Sequence, residues 1–205
     1  MSRLEFLTYP PHELLTRDYT DYSKPMMHSS EIYAEAQASS AIEVLYDFQS
    51  IEETQAAITH LVSVQELDES AILDAHLVLM GMHPDKFPGA YRPHNVKVGY
   101  YLGYYLAPEY FAVPGLMHEF IQFLERQDIS PTLKAAWAYA WFEHIHPFAD
   151  GNGRIARAIV SGILKRPWAP QVLRNQQSYY RSLGSSSPVE WIKWFEKTIG
   201  TAPQV

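Results

Sequence analysis

The segment 146–157 concentrates side chains that could carry out chemistry on a phosphate. Its turn, Asp-Gly-Asn-Gly at 150–153, contains two glycines, which allow a positive φ and let several backbone N–H groups point towards one spot. A helix is predicted to begin within 151–154, and the free N–H groups at a helix N-terminus attract anions. The spacing therefore predicts an anion site at this turn.

Charged and titratable side chains surround the turn. Arg154 and Arg157 are three residues apart, so they share one face of the predicted helix, and two guanidiniums suit a di- or triphosphate. Asp150 could bind a Mg²⁺ ion that also contacts phosphate oxygens. A neutral imidazole at His146 could accept a proton from an incoming hydroxyl group. Each feature alone is common at turns and helix ends, but together they favour a phosphate site with a metal ligand and a base.

The pattern of apolar residues, caps and helix breakers predicts a mostly helical, all-α fold with one small β-hairpin. Helices are expected at about 29–48, 50–62, 68–80, 114–126, 131–146, 152–164 and 188–199. The helix at 131–146 is apolar almost all round, which is typical of a buried central helix. In the proline- and glycine-rich stretch 82–113, the alternation of Val96, Val98 and Tyr100 with Asn, Lys and Gly predicts the hairpin.

The composition is that of an ordinary globular protein. The 205 residues include 16 Lys and Arg, 23 Asp and Glu and 47% hydrophobic residues, with a net charge of −7. The absence of Cys excludes disulfides, Cys-ligated zinc, iron–sulfur clusters and a thiol nucleophile. The charge is uneven, −12 over 1–130 and +5 over 131–205. Either this reflects solvated faces, or the C-terminal part binds an anion.

The sequence also limits partners and location. No apolar run approaches the roughly 20 residues of a membrane helix, and no dense basic patch suits nucleic acid. The N-terminal residues lack the apolar core and cleavage site of a secretory signal. We therefore expect no membrane partner, no nucleic-acid partner and a cytoplasmic location.

The segment H-P-F-A-D-G-N-G-R-I-A-R at 146–157 resembles the Fic (Fido) family signature, H-x-F-x-[D/E]-G-N-G-R-x-x-R, at every specified position. The run P-G-A-Y-R at 88–92, with V-K-V-G at 96–99, resembles the family's flap, which lies over the active site. The resemblance covers roughly 67–199. It implies a Fic core there, preceded by an N-terminal helical extension over 1–66 and followed by a short tail over 200–205.

The resemblance implies an enzyme that transfers AMP from ATP to a Ser, Thr or Tyr hydroxyl of a protein and releases pyrophosphate. His146 would be the general base and Asp150 the Mg²⁺ ligand, while Arg154 would bind the outer phosphates and Arg157 the γ-phosphate. The implied anion hole is the backbone of Gly151, Asn152 and Gly153. Tyr180 is a candidate adenine contact, although a core role is equally consistent. The implied target-binding residues of the flap are Val96, Lys97 and Val98, and the target protein could include a copy of this chain.

The stretch 39–43, S-S-A-I-E, resembles an inhibitory helix of the family, [S/T]-x-x-x-E-[G/N], except that Val44 stands at the sixth position. The expected helix is about 29–48. The resemblance implies that Glu43 pairs with Arg157 and excludes the γ-phosphate, with Ser39 on the same helix face. The alternative is an ordinary surface carboxylate. Two other functions remain open at this point: removal of AMP from a modified protein, and nucleotide-dependent regulation with little catalysis. The sequence leaves the oligomeric state open.

Overall fold

The computed structural model describes residues 6–100, 103–184 and 187–200. Within these ranges, α-helices dominate and a two-stranded sheet is the β element, as the predicted fold class requires. The helices are α1 (His12–Leu15), α2 (Ser29–Ile42), α3 (Phe48–Ser63), α4 (Glu69–Met80), α5 (Val113–Glu125), α6 (Pro131–Ile145), α7 (Asn152–Leu164), α8 (Ala169–Arg174), α9 (Gln176–Leu183) and α10 (Pro188–Gly200). None of the helices in these ranges is long and apolar enough to cross a membrane.

Helix α6 is the centre of the fold, as its composition predicts. Ser130 caps it by accepting a hydrogen bond from the Leu133 N–H at 3.2 Å. Trp137 and Trp141 are fully buried, and α6 packs against α5, α7 and α10. Truncation of either Trp to Ala would cost about 3–5 kcal/mol. This central packing fixes the C-terminal end of α6, where the signature segment begins.

The N-terminal helices pack directly on the signature helix. Helix α3 packs on α7, and α2 packs on α3 and α8, so their apolar faces join one hydrophobic core. Helix α3 begins at Phe48, two residues before the predicted start, because Asp47 is the N-cap: its carboxylate accepts from the Ser50 N–H at 2.8 Å. Helix α2 therefore lies against the elements that carry the signature.

The C-terminal end of α2 corrects a sequence prediction. The helix ends at Ile42, not near 48, because Val44 takes a left-handed conformation with φ 62°. The Val44 N–H donates to the Ala41 C=O at 3.1 Å, and the Leu45 N–H donates to the Ser40 C=O at 3.0 Å, which closes the helix as a Schellman motif. Gly normally fills this position, and an exposed β-branched Val there is strained by on the order of 1–3 kcal/mol.

The hairpin pairs β1 (Lys97–Tyr100) with β2 (Gly103–Leu106) in antiparallel register, with Val98 opposite Tyr105. Val98 and Tyr105 are half-buried, whereas Lys97 is exposed, so the strand alternates as predicted. The Tyr105 hydroxyl donates to the Glu143 C=O near the end of α6. The hairpin is thereby connected to the start of the signature segment.

Candidate active site

The signature segment forms the loop between α6 and α7 and the first turns of α7. His146 ends α6 in a left-handed conformation with φ 49°, and its N–H donates to the Phe142 C=O at 2.8 Å. Gly151 precedes α7 with φ 77°. The Asn152 side chain accepts from the Phe148 N–H and donates to the Phe148 C=O, both at 2.9 Å. Asn152 thus orders the loop with its side chain.

The two glycines of the turn are required for different reasons. Gly151 has a left-handed backbone, and a Cβ there would lie 2.6 Å from Met80 Cε. Gly153 is helical, and a Cβ there would lie 2.5 Å from Glu43 Oε1. The second glycine therefore leaves room for the Glu43 carboxylate beside the Arg157 guanidinium.

A cleft of about 480 Å³ opens at the N-terminus of α7, a volume typical of small-molecule sites. It is lined by the predicted site residues Glu43, His146, Asp150, Gly151, Asn152, Gly153 and Arg154. Asp150 is half-exposed; Oδ1 accepts from the Gly151 N–H at 2.6 Å, and Oδ2 lies 3.8 Å from Lys86 Nζ. The sequence analysis did not anticipate Lys86, which adds positive charge beside this carboxylate.

His146 has the geometry of a neutral base. Its Nδ1 lies 3.3 Å from the Glu143 C=O, which can only accept, so Nδ1 carries the proton and Nε2 the lone pair. Burial lowers the pKa of His146 to about 4, and the positive charge of Arg92 acts in the same direction. The imidazole is therefore neutral near pH 7 and able to accept a proton.

Arg92 was missed as a functional residue, although it ends the P-G-A-Y-R run. Its buried guanidinium donates from Nε to the His146 C=O at 2.8 Å, from Nη1 to the His94 C=O at 2.9 Å and from Nη2 to the Pro108 C=O at 2.5 Å. A cation at the C-terminal end of α6 also suits the helix dipole. Arg92 therefore connects both ends of the hairpin to the backbone of the candidate base.

Arg157 lies beside the cleft and is bound by α2. Nε donates to Ser39 Oγ at 2.8 Å, and Nη2 donates to the Ser39 C=O at 3.1 Å and to Glu43 Oε1 at 2.6 Å. Burial opposes its charge, but the Glu43 carboxylate keeps the pKa of Arg157 above its ordinary value. Arg154, by contrast, lines the cleft, and among the described residues its Nε has no hydrogen-bond partner. The two arginines thus differ: Arg157 is bound by Ser39 and Glu43, whereas Arg154 lines the cleft with its Nη2 3.9 Å from Asp150 Oδ1.

Comparison with known families agrees with this geometry. Residues 66–164 match the family model described as the Fic/DOC family. They form a Fic domain. The match begins one residue before the predicted start of the core and contains the whole signature segment. The predicted extension of the core to 199 lies beyond the matched residues.

Curated relatives carry the same family name. The chain is 35% identical over 126 residues to "Protein adenylyltransferase Fic" from Drosophila erecta, a match that covers 58% of this chain and 24% of the relative. The protein of that name from Drosophila melanogaster is 34% identical over 125 residues, covering 57% and 24%. The chain thus spans about a quarter of the length of these relatives.

Solved structures share the fold of the Fic domain. A Fic family protein from Desulfovibrio desulfuricans G20 superposes with a TM-score of 0.75 at 24% identity, covering 83% of this chain and 62% of that chain. IbpAFic2, solved in complex with adenylylated Cdc42, superposes with a TM-score of 0.61 at 17% identity, covering 91% and 72%. Because both sequence identities are below 25%, this structural similarity establishes the fold alone.

Glu35 attaches α2 to the start of α8, a role that the sequence analysis missed. Its buried Oε2 accepts from the N–H groups of Trp168 and Ala169 at the start of α8, both at 2.7 Å. Burial raises the pKa of Glu35 to about 7, against the effect of these two donors. Glu35, Ser39 and Glu43 are spaced by four, so they share one face of α2. This spacing by four was the sequence signal that could have identified Glu35.

Tyr180 and the hairpin lie outside the lining of the cleft. Tyr180, on α9, is half-buried against the core, and burial followed by the charge of Glu43 raises its pKa. Val96 precedes β1, and its C=O accepts from the Ala107 N–H at 3.3 Å. Lys97 Nζ lies 5.1 Å from the centre of the Tyr104 ring. The predicted contacts of Tyr180 with adenine and of the hairpin with a target remain predictions.

The Fic domain offers one carboxylate for a metal ion in the cleft. In the described ranges no group of three or more His, Cys, Asp or Glu side chains could enclose a metal. Mg²⁺ is commonly bound by one or two carboxylates together with substrate phosphates and water. A half-exposed Asp150 beside an anion site fits that kind of shared coordination.

Proposed function

We propose that this protein transfers AMP from ATP to a Ser, Thr or Tyr hydroxyl of a target protein and releases pyrophosphate. One observation carries the proposal: a single cleft contains a neutral His146, the Asp150 carboxylate, the N-terminus of α7 and the Arg154 side chain. The curated relatives named protein adenylyltransferase and the IbpAFic2 complex with adenylylated Cdc42 support the same reaction class.

The chemistry assigned to the chain is positioning and proton transfer. His146 Nε2 accepts the proton of the target hydroxyl, and the hydroxyl oxygen forms a bond to the α-phosphorus of ATP. The bond from that phosphorus to the oxygen bridging to the β-phosphate breaks, and pyrophosphate leaves. Mg²⁺ bound at Asp150 would neutralise phosphate charge. The N–H groups at the start of α7 stabilise the negative oxygens of the transferred group, and Arg154 stabilises the leaving group.

We further propose that Glu43 inhibits this reaction. Ser39 and Glu43 Oε1 occupy Nε and Nη2 of Arg157, so a γ-phosphate that binds this side of the guanidinium has to displace Glu43. Since a phosphate and the carboxylate compete for the same guanidinium, the wild-type chain is expected to be weakly active. The exposed Val44 ends α2 in a strained conformation, which favours displacement of the Glu43 segment relative to a glycine at that position.

The hairpin is the proposed contact with the target. Within the described residues the sheet consists of β1 and β2, so each strand has an outer edge where an extended peptide could add as a third strand. The proposed contacts are Lys97 and Val98 of β1 and Val96, which precedes β1. A second copy of the chain is among the candidate targets.

Mass spectrometry tests the reaction class. A lysate is incubated with ATP, Mg²⁺ and the Glu43→Gly variant, and the matched control carries Glu43→Gly together with His146→Ala. The proposal predicts peptides that gain the mass of one AMP on Ser, Thr or Tyr, and their absence in the control. A gain of phosphate alone, or equal modification by the control, contradicts it.

A further inference from the structure

His76, on α4, lies outside the signature segment and takes no part in the mechanism above. Its side chain is fully buried and contacts three groups: the Asp150 C=O, the Gly89 N–H and the Phe148 ring. We propose that His76 is a positioning residue that fixes the peptide between Asp150 and Gly151 relative to the segment leading into the hairpin. The inference rests on the proposed function, because that function places phosphate and metal at this peptide.

The two hydrogen bonds of His76 define one form of its ring. The Gly89 N–H lies 3.1 Å from Nδ1 and can only donate, so Nδ1 carries the lone pair. The Asp150 C=O lies 3.2 Å from Nε2 and can only accept, so Nε2 carries the proton. A neutral imidazole has one donor and one acceptor, and this single tautomer satisfies both partners.

The ring of His76 also packs on the loop itself. The Phe148 ring is parallel to the imidazole, with 3.7 Å between centroids and 2° between planes. The Asn152 side chain in turn forms hydrogen bonds with both the N–H and the C=O of Phe148. His76 therefore contacts the loop at two points, one on either side of Ala149.

The Asp150 carbonyl gives His76 control over the candidate anion site. That carbonyl and the Gly151 N–H belong to one planar peptide unit, so fixing the carbonyl also fixes the direction of the N–H. The same N–H donates to Asp150 Oδ1 at 2.6 Å. The orientation of the Gly151 N–H, and of the Asp150 carboxylate that accepts from it, therefore depends on the hydrogen bond from His76.

Gly89 extends this connection to the hairpin. It takes a left-handed conformation with φ 70°, and three residues later Arg92 binds the backbone of His146. His76 and Arg92 thus connect the same two segments, the signature loop and the segment leading into the hairpin. His76 makes the connection at Asp150, and Arg92 makes it at His146. This arrangement predicts that loss of His76 weakens nucleotide binding and leaves the hydrogen bond at His146 in place.

Titration calorimetry with Mg·ATP tests the proposal in the Glu43→Gly background of the full chain, without any target protein. His76→Phe retains the stacking ring and removes both polar atoms, whereas His76→Gln restores one donor and one acceptor. We expect His76→Phe to raise Kd for Mg·ATP by about 10-fold or more, and His76→Gln to recover part of the loss. The control, His118→Phe on the exposed face of α5, should leave Kd unchanged. An unchanged Kd in His76→Phe, or an equal loss in both His76 variants, overturns the proposal.

The tautomer gives a second test that needs no variant. In ¹⁵N-histidine spectra of the wild-type chain at pH 7, His76 should be neutral with the proton on Nε2. A proton on Nδ1, or on both nitrogens, overturns the proposal even if the variants fail to fold. Neither test measures AMP transfer, so absence of transfer with both results as expected would contradict the proposed function and leave the role of His76 intact.

Discussion

Arg157 Nη2 donates to Glu43 Oε1 at 2.6 Å, across 114 residues of sequence. Arg157 is almost wholly buried, whereas the Glu43 side chain is 39% exposed. A buried cation whose main counter-ion lies at the edge of a cleft can exchange that partner for another anion that enters the cleft. The relationship therefore connects the position of α2 to occupancy of the candidate phosphate site.

The strained end of α2 predicts an unusual effect of glycine. Val44→Gly should raise the free energy of unfolding by about 1 kcal/mol, because relief of the left-handed strain exceeds the added entropy of the unfolded chain. Denaturant unfolding measures the change. The matched control is Val78→Gly, at an exposed position inside α4, where the same substitution should lower stability by roughly 0.5 kcal/mol. The same sign at both positions would contradict the account of Val44.

A firmer helix end should also strengthen inhibition. We expect Val44→Gly to transfer less AMP than the wild-type chain, because Glu43 stays paired with Arg157 for a larger fraction of the time. Initial rates of AMP incorporation measure this. An increase in rate would show that the strain at Val44 does not weaken the inhibitory contact.

The buried Glu35 predicts a pH dependence of stability. Its pKa is raised to about 7 in the folded protein from a model-peptide value of 4.5, so the folded state binds this proton more tightly. The contribution of Glu35 to stability is therefore lost as pH rises from about 4.5 to 7. At roughly 1.4 kcal/mol per pKa unit, the wild-type chain should lose on the order of 3 kcal/mol of unfolding free energy over this pH range because of Glu35. The Glu35→Gln variant should not show this loss.

Chemical unfolding of the wild-type chain and Glu35→Gln at pH 5 and pH 7.5 measures this difference. Other titrating groups cancel in the comparison, and Glu52→Gln, at an exposed position on α3, is the control. Parallel stability profiles for the wild-type chain and Glu35→Gln would refute a raised pKa at this site.

The lowered pKa of His146 predicts how kcat/KM changes at acidic pH. A base with a pKa of about 4 stays unprotonated far below the ordinary histidine value of 6.5. For the Glu43→Gly variant, kcat/KM should not fall through a pKa near 6.5, and the loss of the base should appear only as the pH approaches 4. A half-maximal loss near pH 6.5 would mean that the imidazole is not desolvated as the structure describes.

The candidate site was largely readable from the sequence because its groups are contiguous. His146, Asp150 and the glycines follow one another along a loop, and local rules place N–H groups and charges at a helix start. The partners of Arg157 were found through a resemblance, since Ser39 lies 118 residues away. Arg92, Glu35 and His76 were missed because each acts through backbone groups brought close by the fold, and residue types do not reveal backbone partners. For Glu35 the available signal was its spacing by four from Ser39 and Glu43.

The helix boundaries show the same limit. The end of α2 was misplaced because Val44 favours a right-handed or extended backbone and gives no sign of a left-handed one. Helices α8 and α9 were not predicted because they are short and largely polar on one side, and because Pro170 stands in the first turn of α8. Long apolar helices such as α6 were placed well, since burial dominates their pattern.

The central claim is that this chain transfers AMP with His146 as the base, and that Glu43 inhibits the transfer. The most direct measurement is the rate of labelled AMP incorporation from ATP by the wild-type chain, Glu43→Gly, and Glu43→Gly with His146→Ala, each with Mg²⁺. The account predicts a weak rate for the wild-type chain, a rate at least 10-fold higher for Glu43→Gly, and none above background when His146 is also replaced. Equal rates for the wild-type chain and Glu43→Gly, or transfer that survives His146→Ala, would contradict it.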